Sequence, residues 1–341
     1  MRKLSIFGWL LWVLVACQPE PPVPQDPSPL QEGVFISNEG NFQWGNASLD
    51  FWDKNGDSLR SSVFQQANGY GPGDVLQSLT LHQDQAYLVV NNSQKIIEVD
   101  LETLSVNREL TGLTSPRYLT IWDSTLAFAT DLYSQSIHVI DLPSLSKTSE
   151  IPFPGWGERM LKRPEGIWIT NVRTTHIYLL DPTQLAIVDS LEVGLGSHSM
   201  VEDANGNIWA LASGDVLDGT GGRLSRFDPT TRQIAQAWDF GEDIHPGDLH
   251  RSPDGQHLYF RSGDLYRMAI SASALPDQPL VPAQGKNFYS LAIDPATGKL
   301  WAADALDFVQ RGNIEVYDPA GILEFTFKAG IIPGGFVFVG E

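Results

Sequence analysis

A short apolar strand recurs seven times along this chain, with an aromatic side chain in its second position in six of the seven. The copies begin at Val34, Ala86, Leu126, Ile167, Ile208, Leu258 and Leu300. Their second positions are Phe35, Tyr87, Ala127, Trp168, Trp209, Tyr259 and Trp301, and successive copies lie 40 to 52 residues apart. A second apolar strand follows each copy and usually runs into an aspartate: Asp53, Asp100, Asp141, Asp181, Asp228 and Asp318. The strand ending near Met268 lacks one. Alternation such as Ile97-Glu98-Val99-Asp100 has period two, which excludes a helical solenoid. All-strand repeats of this length predict a β-propeller with one sheet per repeat.

The repeated aspartates look catalytic in composition, but they precede turn sequences. Their carboxylates are suited to accept amides two residues on and so to hold tight turns. The innermost strand of each blade is expected just before the aromatic strand, over 75–81, 117–122, 158–162, 198–202, 247–251 and 289–293. The first repeat has no such strand. The missing one appears at the far end of the chain, in 334–339, so the reading is an all-β, seven-bladed propeller whose C-terminal strand closes the first blade.

Three segments follow from this. Residues 1–16 read as a lipoprotein signal peptide: Arg2 and Lys3, then an apolar stretch over 4–16 that is too short for a membrane span. It ends Leu14-Val15-Ala16-Cys17, which resembles the bacterial lipobox, and that resemblance implies acylation of Cys17. Cys17 is the only cysteine, so disulfides and cysteine metal sites are excluded. Residues 17–32 form a linker with six prolines over 18–30, unable to pack a core. Residues 33–341 are the propeller. Several acyl chains would anchor the protein stably to a membrane. The net charge of −19 excludes nucleic acid as a partner.

Residues that break the repeat are free to specialise. Insertions over 38–46, 213–223 and 304–313 fall between an aromatic strand and the next. In a propeller these loops share a face with the connections between blades. That face is expected to collect a ligand site: Asn38, Glu39, Phe42, Trp44, Asn91, Arg117, Asp131, Tyr133, Trp156, Arg159, Arg173, His198, Asp304, Phe308 and Gln310, with Tyr70 beside them. Aromatic platforms interleaved with hydrogen-bonding groups suit a flat, semi-polar ligand. The competing reading is that Glu39, Gly40 and Asn41 only fold their own loop while the aromatics cap the core.

Signals for catalysis are weak. His245, Asp248 and His250 could hold a metal only if they converged, and packing or a place in the ligand face is the better reading. No nucleophile elbow, phosphate loop or HExxH occurs. Glu39, Asn171 and Asp304 could imitate the carboxylate and amide metal site of lactonase-type propellers. The Gly206-Asn207-Ile208-Trp209 style of repeat resembles the virginiamycin-lyase-like propellers, without a catalytic His/Glu pair to carry over. The expectation is therefore a protein that is not an enzyme, with no catalytic residue, metal or cofactor.

The Asn38-Glu39-Gly40-Asn41 opening, the repeats ending in Val-Asp or Tyr-Asp, the segment over 304–312 and the closing run over 329–338 resemble the YncE-like (YVTN-type) propeller lipoproteins of outer-membrane nutrient uptake. That group includes surface propellers that capture cobamides, such as cobalamin, and pass them to a TonB-dependent transporter. The resemblance covers residues 33–341 and implies a small-molecule nutrient, a TonB-dependent partner and an outer-membrane, cell-surface location with the membrane reached through the lipid anchor. It carries no individual cobamide contact over to this chain. The alternatives are a metal-dependent propeller hydrolase or lyase, and a scaffold for envelope proteins.

Overall fold

The computed structural model describes Leu30 and residues 32–340; the signal segment, Cys17 and nearly all of the linker lie outside the described residues. Seven antiparallel sheets follow one another along the chain. Six have four strands, and the sixth blade has three. Consecutive inner strands pack side by side, and that of blade 7 meets that of blade 1, so the ring is closed. Blade 1 is completed by Pro333–Val339, which pairs antiparallel with Gly33–Asn38. The inner strands of blades 2 to 7 are Leu76–His82, Pro116–Ile121, Gly157–Arg163, Ser197–Glu202, Gly247–Arg251 and Phe288–Ile293.

The core lies between blades. Seven apolar clusters are each shared by two neighbouring sheets. The recurring aromatic slot feeds them. Trp168 meets Phe227 of the next blade edge-on at 5.1 Å, and Trp301 of blade 7 meets Phe336 and Phe338 of the closing strand at 6.2 and 6.0 Å. These geometries match the preference of aromatic pairs for tilted contact.

The repeated aspartates act as turn holders. Asp53 accepts the amides of Asn55 and Gly56, Asp100 that of Thr103, and Asp141 that of Ser144. Asp181, Asp228 and Asp318 do the same for Thr183, Thr230 and Ala320. Blade 6, which lacks this aspartate after Met268, also lacks a fourth strand; only an isolated bridge from Leu265 to Val281 stands in its place. The chain turns after Met268 through the Ala272 amide on the Ala269 carbonyl at 3.0 Å, without a carboxylate to hold the turn.

Candidate functional site

Every inner strand carries a β-bulge near its start. The pairing register gains one residue between Leu76 and Ser78, Pro116 and Leu119, Gly157 and Met160, Ser197 and Ser199, Gly247 and His250, and Phe288 and Ser290. Blade 1 has the same irregularity around Gly334. A bulge inserts an unpaired residue and re-aims its side chain. Here the inserted positions form a ring about the axis: Gln77, Arg117, Glu158, His198, Asp248, Tyr289 and Gly334, all of them lining one cavity. Asp248 reaches its place with a left-handed backbone, φ 51°, an unusual conformation for a residue other than glycine.

The cavity opens on the loop face with a volume of about 500 Å³. Below it lies a second space of about 210 Å³, lined by Thr80, Thr120, His250 and Ala292 among others. Gln77, Tyr118, Arg159, Asp248 and Ser290 border both, so the two form an axial channel with a waist.

The waist is rich in charge. Arg117 pairs with Glu158 at 3.0 Å and donates to Gln77. Arg261 pairs with Asp248 at 2.8 Å. Tyr289 donates its hydroxyl to Glu39 at 3.0 Å. Burial pushes the Glu39 carboxyl above its ordinary range, and the Tyr289 bond and Arg117 only partly offset this. Burial also pushes His250 down to about 4 and His198 below its ordinary range, so both are neutral near pH 7. Among the described residues no group of three or more His, Cys, Asp or Glu is arranged to hold a metal ion. His245 instead faces the Ser213 carbonyl at 2.8 Å.

Two groups of aromatics, exposed except for the half-buried Trp156, stand on the loops. On blades 7 and 1, Phe42 and Trp44 are 62% and 76% exposed, and Phe308 packs edge-on against Tyr289 at 5.7 Å. Asn41 ties the two loops by donating to the Phe308 carbonyl at 2.6 Å. On blades 3 and 4, Tyr133 meets Trp156 edge-on at 5.4 Å, and the Arg173 guanidinium lies 3.8 Å from the Trp156 ring centre. Blades follow chain order, so blade 2 separates the groups on one side and blades 5 and 6 on the other. The groups therefore face each other across the axis.

The residues expected from sequence fall into three sets, with Asn91 both lining the cavity and tied to the frame. Glu39, Phe42, Asn91, Arg117, Arg159 and His198 line the channel or its mouth. Trp44, Tyr133, Trp156, Arg173 and Phe308 lie on loops, outside the cavity lining. Others are committed to the frame. Asn38 is buried, donates to Ser48 Oγ at 3.1 Å and accepts the Gly330 amide. Asn91 donates to Ser115 and to the Pro116 carbonyl of the next blade. Asp131 accepts the amides of Ser115, Tyr133 and Ser134. Asp304 accepts those of Asn287 and Leu306, and Gln310 caps Asp307 in an exposed turn. Asp131 and Asp304 end the second strands of their blades and hold the loop before their own inner strand, whereas Asn38 is spent on the strand residues Ser48 and Gly330, and Asn91, one residue past its strand, on the next blade. Sequence reasoning did not place Gln77, Tyr118, Glu158, Arg261 or Tyr289 in the site.

Residues 32–323 match the family described as a domain of unknown function, DUF5074. The chain belongs to the DUF5074 family. No curated protein matches it. Among solved structures, this DUF5074 propeller is similar to a quinonprotein alcohol dehydrogenase-like protein from Bacteroides thetaiotaomicron, with a TM-score of 0.72 and 16% identity over 91% of this chain and 79% of that one. It is also similar to the periplasmic gluconolactonase PpgL of Pseudomonas aeruginosa, at 0.67 and 14% over 90% of this chain and 99% of that one. A third is the dihydro-heme d1 dehydrogenase NirN, at 0.63 and 11% over 96% and 78%. At these identities the likeness is one of fold. It corrects the expectation that the chain is not an enzyme: the same architecture is found in a lactonase and a dehydrogenase, so the absence of familiar motifs is no ground for setting catalysis aside.

Proposed function

We propose that this DUF5074 propeller captures a large, flat, semi-polar ligand across the mouth of its axial channel, held at the bacterial outer membrane by acylated Cys17. The observation that carries the reading is the facing pair of aromatic groups, Phe42, Trp44 and Phe308 against Tyr133 and Trp156. Exposed aromatics cost solvation free energy, and a group of them around a cavity is the usual mark of a contact surface. A flat macrocycle with polar arms would lie on the rings and place its rim against Arg173, Arg117 and Glu39. A cobamide has that shape and chemistry, and the opening and closing motifs resemble the YncE-like propeller lipoproteins, a group that includes cobamide-capturing members. The partner would then be a TonB-dependent transporter. NirN, a propeller of similar fold, is named for its action on dihydro-heme d1, which supports a flat macrocycle as a ligand for this architecture. The test is titration of the purified protein with cyanocobalamin, following quenching of tryptophan fluorescence. Saturable quenching at micromolar ligand is expected, and its absence removes the cobamide.

One observation favours a second reading, hydrolysis of a small substrate inside the channel. Glu39 is a buried carboxyl with a raised pKa, bonded to Tyr289, as an acid–base group would be. PpgL-like activity is checked directly by release of acid from gluconolactone, with Glu39→Gln as the control.

A further inference from the structure

The waist of the channel contains three arginines and three carboxyl groups, and the pairing is incomplete. Arg117 is matched by Glu158, and Arg261 by Asp248. Glu39 is bonded to Tyr289. Arg159 is left over: among the described residues its side chain has no ion pair and no hydrogen bond, and only its main-chain carbonyl is engaged, by Thr170. Its guanidinium lies 4.6 Å from the Tyr118 ring centre. That cation–π contact holds the guanidinium in place and leaves its N–H donors unspent. The area that Arg159 exposes is channel wall, since it borders both the upper and the lower space. Asp248 and Glu158 act on Arg159 only at a distance, without an ion-pair contact, so an anion bound against the guanidinium would supply the direct partner it lacks.

The surroundings narrow the class of anion. Glu158 and Asp248 stand on the same ring and repel a doubly charged group more than a singly charged one. A planar carboxylate matches the planar fork of a single guanidinium. Beside their existing bonds, Tyr118 keeps its phenol proton, the Gln77 amide a second N–H and the Tyr289 oxygen a lone pair around the same space, groups suited to hydroxyls. We infer that the axial channel is a binding site for a small hydroxylated monocarboxylate, recognised through Arg159. The inference stands apart from the capture of a large ligand on the aromatic loops.

The experiment is calorimetric titration of the purified protein with D-glucuronate and with D-glucose, which differ by the carboxylate, and with inorganic phosphate. Glucuronate is expected to bind at millimolar concentration or better, glucose and phosphate at least ten-fold more weakly. Arg159→Gln should weaken glucuronate roughly thirty-fold, because the lost contact is charge-assisted. Trp44→Ala should leave it unchanged, which separates this site from the aromatic loops. Equal binding of glucose and glucuronate by the wild-type protein overturns the inference whether or not the variant folds. No heat with glucuronate at 20 mM, tighter binding of phosphate, or unchanged binding by a folded Arg159→Gln protein overturns it too.

Discussion

A side chain on Gly334 would place its Cβ 2.5 Å from Oε1 of Glu39. Six of the seven bulges send a polar side chain toward the axis; the seventh, in the closing strand, sends none. Glu39, from the first loop of the same blade, fills that gap and reaches Tyr289 of blade 7 at 3.0 Å. The two ends of the chain thus complete the ring together. Gly334→Ala should force Glu39 off Tyr289 and lower stability by about 1–3 kcal/mol. In the Gly334→Ala/Glu39→Ala double variant the losses should be less than additive, with a coupling above about 0.5 kcal/mol, measured by urea unfolding. Additive losses would mean that the two positions do not meet.

Glu39 also gives a pH signature. Its carboxyl is raised by burial above 4.5, so the folded protein holds that proton more tightly than the unfolded chain. The stability this contributes is present below the unfolded value and is lost as pH rises through the folded one. Glu39→Gln, neutral throughout, should melt higher than the wild type at pH 7.5, with the gap closing toward pH 4. A gap independent of pH, or of opposite sign, would show that Glu39 is not buried in this way.

Closure by Pro333–Val339 is a matter of edges as well as packing. A chain ending at Ile332 would leave Gly33–Asn38 unpaired on one side and remove Phe336 and Phe338 from Trp301. Its thermal transition should move down by more than 10 °C or so and lose cooperativity, since a bulk of apolar contact between blades 7 and 1 disappears. A sharp transition at the wild-type temperature would contradict closure.

The fold was legible because propeller blades repeat what they need. Inner strands expected at 117–122 and 289–293 are found at Pro116–Ile121 and Phe288–Ile293, and the turn role of Asp181 or Asp228 followed from its recurrence. The site was harder to read for the same reason. A bulge inserts one residue without disturbing the apolar pattern on either side, so the shift that turns Gln77, Glu158 and Tyr289 inward leaves no mark in a period-two count. The second residue of each inner strand differs in kind from blade to blade, but so do the residues on either side of it, so no local pattern marks the inserted position. Asn38, Asn91, Asp131 and Asp304 show the converse. Each sits at or just past the end of a second strand, and polar residues recurring there mark hydrogen bonds of the frame, as recurrence did for the turn aspartates.

Acylation at Cys17 rests on the Leu-Val-Ala-Cys run after a short apolar segment. Cys17→Ser should leave the expressed protein without acyl chains and move it from the membrane to the soluble fraction, read by intact mass and by fractionation. Unchanged partitioning would require another anchor.

The central claim is that one ligand spans the two aromatic groups across the channel mouth. It is tested most directly by calorimetric titration of the purified protein with cyanocobalamin, alongside Trp44→Ala from the blade 1 group and Tyr133→Ala from the blade 3 group. Each ring covered by ligand contributes on the order of 2 kcal/mol, so each substitution should weaken binding roughly thirty-fold. The account predicts saturable one-to-one binding that both substitutions weaken while the melting temperature stays the same. No binding, or binding that either substitution leaves untouched, would contradict it.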